Sequence, residues 1–186
     1  MRLYKNVDIC DLDSILKNGI LSLSSCENNN WTNGKRVNNS TDVVYLFSPK
    51  TCVNSFTQYG VALVEVDVDY VRKNQILDND VNIGKYDEYI VPSVSVSEIK
   101  AVYIPEIFKD KLNLPESVSD KITWCDMVCN YYTGHFDEKA IATNDVLNKF
   151  ANTACVERSN SFNFFRGVSA ENTMIDLADV QYIIAK

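Results

Sequence analysis

Basic residues, glycine, proline and long apolar stretches are all scarce in this 186-residue sequence, and each scarcity removes a class of protein. The 18 Lys and Arg are outnumbered by 25 Asp and Glu, leaving a formal charge of −7. Broad capture of a nucleic-acid backbone depends on Lys and Arg neutralising phosphates, so that mode of action is disfavoured. A local basic patch, for instance around Lys35 and Arg36, would argue the other way. With 4 prolines and 6 glycines the chain is neither collagen-like nor a Pro/Gly-rich disordered polymer. No apolar run approaches the roughly 20 residues that span a bilayer. Asp8, Asp11 and Asp13 rule out a signal peptide in the first twenty residues. The expectation is a cytoplasmic protein with reduced thiols and no membrane partner.

Metal chemistry is poorly provided for. There is one histidine, His135, and the six cysteines (10, 26, 52, 125, 129 and 155) form no CxxC knuckle. Cys125 and Cys129 are one helical turn apart among Trp124, Met127 and Val128, so they read as buried thiols on a helix face, with no metal. His135 has no Ser or Cys partner visible in sequence, and a triad is a matter of geometry that one histidine does not establish.

What is present is the composition of an ordinary globular protein: 46% hydrophobic and 23% charged residues. That length supports one full core, so residues 1–186 are read as one domain. Residues 2–5 read as an opening strand. Asp8 then stands as N-cap before Ile9, Leu12, Ile15 and Leu16, which share a helical face, with Lys17 in the last turn and Gly19 as the stop. Residues 24–42, rich in Ser, Asn and Asp, read as a long loop. Residues 42–47 form a strand, and 51–59 read as helical. Residues 61–69 alternate, with Ala62, Val64, Val66 and Val68 inward and Glu65, Asp67 and Asp69 in solvent. A polar loop over 78–87 leads to a strand over 88–91 that Pro92 breaks, and another strand covers 101–104. Helices are expected around 120–131 and 145–154, and strands over 164–168 and 180–184. Arg166 and Gly167 mark a turn near the first of these. Short, numerous strands without βαβ spacing point to an α+β fold with a split sheet.

Three segments, in order, resemble the ADP-ribosyltransferase superfamily, most closely the catalytic domains of poly(ADP-ribose) polymerases and the DNA-modifying toxins. The first is Leu3-Tyr4-Lys5-Asn6 followed by Leu12, Ile15-Leu16 and Gly19-Ile20-Leu21. The second is Val44-Tyr45-Leu46-Phe47 with Ser55-Phe56, Gly60 and Val64-Glu65-Val66. The third, Asp87-Glu88-Tyr89-Ile90-Val91 running on to 99–103, is similar to the strand that bears the family's catalytic glutamate. These motifs cover residues 2–104; residues 105–186 are an elaboration with no counterpart among them.

The resemblance implies a split-sheet or sandwich fold with flanking helices, NAD bound between the halves of the sheet, and Glu88 as the catalytic residue. Breaking the nicotinamide–ribose bond passes through an oxocarbenium-like state, which a carboxylate stabilises while also bonding the 2-hydroxyl. It further implies that the Asn6 backbone meets the nicotinamide amide. Phe56, or Tyr59 one turn on, would stack on the nicotinamide ring, with Tyr45 and Ser48 lining the cleft. Lys5 stands where the family has His or Arg, a flexible point charge in place of a fixed donor, which speaks against polymer formation. Tyr86 occupies the position, two before the glutamate, where protein-modifying relatives hold Gln or Glu. The implied activity is mono-ADP-ribosyl transfer from NAD to a macromolecule, above all a protein. A bacterial or phage effector, toxin or anti-defence protein would fit. Two alternatives are a non-catalytic module of the same fold that sequesters a partner, and a nucleic-acid-directed enzyme performing DNA ADP-ribosylation or RNA 2′-phosphotransfer.

Overall fold

The computed structural model describes residues 1–26, 41–49, 53–55, 60–73, 86–129, 168–170, 173–175 and 180–184. Its strands are β1 (Arg2–Val7), β2 (Val44–Pro49), β3 (Val53–Ser55), β4 (Ala62–Asp67), β5 (Arg72–Lys73), β6 (Tyr86–Val91) and β7 (Ile99–Pro105). They continue with β8 (Ile122–Cys125), β9 (Met127–Cys129), β10 (Val168–Ala170), β11 (Thr173–Ile175) and β12 (Val180–Ile183). One α-helix, α1 (Leu12–Asn18), is found among the described residues. The expected α+β class is therefore correct, with far more sheet than helix. Seven strands hydrogen-bond in the order β5-β6-β2-β1-β4-β7-β8, and smaller sheets hold β10-β11 and β3-β12-β9. Among the pairings whose register is resolved, β1–β2, β2–β6 and β5–β6 are antiparallel and β7–β8 is parallel.

The chain divides into two compact units. The first comprises Met1–Lys5, Asp13–Lys50 and Val64–Ala101; the second comprises Asn6–Leu12, Thr51–Leu63 and Val102–Lys186. In the first, Leu3, Leu16, Ile20, Val44, Leu46, Val64, Val66, Val91 and Ile99 are buried. Gly19 ends α1 with φ +81°, a conformation that costs glycine nothing. The next residue, Ile20, then forms a two-bond bridge with Val94, at 2.8 and 2.9 Å. In the second unit Ile9, Leu12, Leu63, Val102, Ile104 and Phe108 are buried. There Asp8 accepts from the Cys10 amide at 2.9 Å, capping the 3-10 turn Ile9–Asp11 that leads into α1.

Three expectations need correction. Where a helix was expected around 120–131, the described residues hold the 3-10 turn Glu116–Lys121 followed by β8 and β9, so Cys125 and Cys129 lie on consecutive strands. Ile122, Thr123 and Trp124 are strand formers by shape, and pairing with β7 decides the matter. Within 51–59, Val53–Ser55 is a strand paired to β12, not helix. Glu65 is not in solvent: every residue from Ala62 to Val66 is buried, so both faces of β4 are covered there. The helix expected at 145–154, His135, Lys35, Arg36, Arg166 and most of the 24–42 and 78–87 loops lie outside the described residues.

Cys125 is buried, and that burial, with the charge of Asp126 adding to it and a backbone hydrogen bond at Ile104 opposing, pushes its thiol up to about 11. Thiolate is the reactive form, so this cysteine is inert at neutral pH. An aromatic disulfide reagent at pH 7.5 is expected to titrate exposed Cys26 within minutes and to reach Cys125 only after denaturation. Equal rates in the native protein would show that β8 opens freely.

Candidate active site

The residues that carry chemistry gather on one face of the seven-stranded sheet, in the first unit. In β1, Tyr4 pairs with Phe47 of β2, and Phe47 pairs in turn with Glu88 of β6. Directly paired residues project to the same side, so Tyr4, Phe47 and Glu88 form a row across three strands. The Tyr4 and Phe47 rings confirm the register: their centroids are 6.3 Å apart, tilted by 38°. Tyr45 is paired with Ile90, two residues along from that row and on the same face.

Glu88 is only 7% exposed. A carboxylate gives up strong hydration when it is buried, so a glutamate in this position is not there as a solubilising surface group. Its strand is covered on both edges, by β2 and by β5. On β5, Lys73 pairs with Tyr89 and reaches the exposed Asp87 carboxylate at 3.3 Å, on the side opposite Glu88.

The row has a second buried carboxylate at its far end. Glu65 of β4 forms an ion pair with Arg2, Oε1 to Nε 2.9 Å, with 7% of its side chain exposed against 72% for Arg2. The Tyr4 phenol lies close enough to feel the same carboxylate. Burial, then the Glu65 charge, hold the Tyr4 phenol above its ordinary value, and Arg2 works weakly the other way. Tyr4 therefore keeps its hydroxyl proton at neutral pH, beside the Glu65 charge.

The expected site residues separate accordingly. Glu88 and Tyr45 share the face described. Lys5 and Ser48 are one residue out of phase with Tyr4 and Phe47, so strand alternation carries them to the other face. Lys5 directs its ammonium to the Tyr45 carbonyl at 3.3 Å. Asn6 belongs to the second unit, where it is buried and its side-chain amide donates to the Gly60 carbonyl at 3.4 Å. Phe56 and Tyr59 lie outside the described residues.

Sequence reasoning missed Tyr4, Phe47 and Glu65 as members of the site. One signal for Glu65 was available: Leu63 shares its parity on β4, so the face assigned to solvent already carried an apolar residue. Among the described residues no group of three or more His, Cys, Asp or Glu is placed to hold a metal, and no helix is long and apolar enough to cross a membrane. No protein-family model, curated protein or solved structure matches this chain.

Proposed function

We propose that this chain is an NAD-dependent mono-ADP-ribosyltransferase that modifies a macromolecule, a protein above all, and that Glu88 is its catalytic carboxylate. The observation that carries the reading is a glutamate 7% exposed on a strand flanked on both sides, in register beside an aromatic ring. NAD supplies the ADP-ribosyl group when its nicotinamide departs and positive charge develops on the ribose. Residues here suit that chemistry: a carboxylate in a low-dielectric setting attracts such a charge far more strongly than one in water. Glu88 bonds the ribose 2-hydroxyl and faces the developing cation, a pairing that strengthens as the bond lengthens. Half-buried Tyr4 and Phe47 share its face of the sheet. A role as an effector, toxin or anti-defence protein of a bacterium or phage fits an enzyme of this size with an acidic surface.

A second reading has its own support. Lys5, at the position where the family holds His or Arg, has its ammonium on the Tyr45 carbonyl and lies out of phase with Glu88. That favours a non-catalytic module that keeps the fold and sequesters a partner. The charge of −7 weighs against nucleic-acid-directed alternatives.

Purified protein incubated with labelled NAD and a host-cell lysate separates these readings. The transferase releases nicotinamide and labels a macromolecule. Release without labelling would make it an NAD glycohydrolase. With neither turnover nor any thermal shift at saturating NAD, where a ligand at 100 times its dissociation constant stabilises by roughly 2.7 kcal/mol, the binding module would replace the enzyme.

A further inference from the structure

Across the β2–β6 ladder Glu88 is paired directly with Phe47, whose ring carries no polar group. Directly paired side chains in antiparallel strands have Cβ atoms about 4.5–5.5 Å apart. The Phe47 ring therefore stands against the Glu88 side chain and closes it off from the β1 side. Phe47 is held in its turn. Its ring is 6.3 Å from that of Tyr4, and the Tyr4 phenol lies beside the Glu65 carboxylate, whose charge is met by Arg2 at 2.9 Å. The whole row belongs to a single compact unit.

From this geometry we infer that Phe47 is the positioning residue for the Glu88 carboxylate, and that Tyr4, beside Glu65, keeps the Phe47 ring in place. The inference rests on the proposed transferase activity. Two physical effects follow from the contact. A ring directly opposite removes side-chain rotamers that would let the carboxylate swing along the strand. It also excludes water from one side, so the carboxylate's charge is spent on the reacting ribose rather than on solvent. Phe47 makes no bond to substrate, so its removal acts on the step that Glu88 serves and leaves NAD binding nearly as it was.

The test is the kinetics of nicotinamide release from NAD by wild type, Phe47→Ala, Phe47→Tyr and Tyr4→Phe, each checked for an unchanged melting temperature. Misplacing a catalytic group by about 1 Å costs on the order of 100-fold. Phe47→Ala is thus expected to lower kcat by roughly 10- to 100-fold with KM within about twofold. Phe47→Tyr keeps the ring and is expected to restore most of kcat. Tyr4→Phe keeps its ring and loses only the hydroxyl beside Glu65, so its kcat falls between the two. Should Phe47→Ala melt early, Phe47→Leu serves as the volume-keeping variant with the same expected kinetics. Normal kcat in a folded Phe47→Ala, or a rise in KM alone, would overturn the positioning role while the transferase reading stands. No nicotinamide release by wild type would remove both.

Discussion

Replacing Glu88 by Gln is expected to lower kcat for nicotinamide release by roughly 100- to 1,000-fold, equivalent to about 3–4 kcal/mol of transition-state stabilisation. The substitution keeps the shape, removes the charge and turns one acceptor oxygen into an NH2 donor, so it tests mainly the electrostatic contribution. Because β6 is covered on both edges and Glu88 is nearly buried, Gln fits without rearrangement. The melting temperature should stay within a few degrees of wild type, or rise slightly where a buried charge has been removed. NAD affinity should change little, since the charge matters most once the ribose becomes cationic. Glu88→Asp, which retracts the carboxylate by one methylene, should be nearly as damaging. Nicotinamide release measured by chromatography decides it: a Gln variant within threefold of wild type would remove Glu88 from the chemistry.

The largest effect on stability is expected from Gly60→Ala. Gly60 has φ +135°, and a Cβ built there would lie 1.8 Å from the Val7 carbonyl oxygen, 2.0 Å from its carbon and 2.4 Å from the Asp8 nitrogen. All three are backbone atoms, so no side chain can swing aside to make room. The end of β1 would have to move, and the Asn6 hydrogen bond to the Gly60 carbonyl would be disturbed with it. A loss of about 3 kcal/mol or more is expected, combining a disallowed φ with overpacking. For a chain of this length that lowers the melting temperature by roughly 6–12 °C. Exposed Lys109→Ala should shift it by less than about 2 °C and serves as the reference. Equal melting of the two variants would show that the chain relaxes around Gly60 at little cost.

Features read correctly from the sequence were those whose cause is local. Asp8, the apolar positions of α1 and Gly19 are capping and periodicity signals that act within one or two turns, and the helix forms between them. Glu88 was singled out from its Asp-Glu-Tyr-Ile-Val setting alone, and the structure adds that it lies on β6 and is nearly buried. Errors arose where a distant segment decides. Glu65 looked solvated because nothing near it in sequence reveals that Arg2 pairs with it and Tyr4 lies beside it. Residues 122–125 carry an ambiguous pattern, and alignment beside β7 resolves it to strand. Val53–Ser55 becomes a strand only because β12 pairs with it. The Tyr4–Phe47–Glu88 row was invisible for the same reason. A one-residue slip in register would have placed Leu46, not Phe47, beside the glutamate, and local sequence does not encode that register.

The position of β1 within the sheet has a kinetic consequence. Its neighbours are β2 and β4, and β2 in turn pairs with a strand that begins only at residue 86. Almost every bond in this part of the sheet thus closes a long loop, and loop entropy must be lost before any pairing compensates for it. Chains whose contacts are mostly non-local fold on the order of milliseconds to seconds, far slower than helical proteins of similar stability. During synthesis, the segment carrying Tyr4 would remain unpaired until the ribosome had delivered residues 44–49 and then 62–67. Glu88 and its aromatic neighbours can come together only once residues 86–91 have followed, so the candidate site forms after the hairpin-like local turns nearby and before the pairings that need β12.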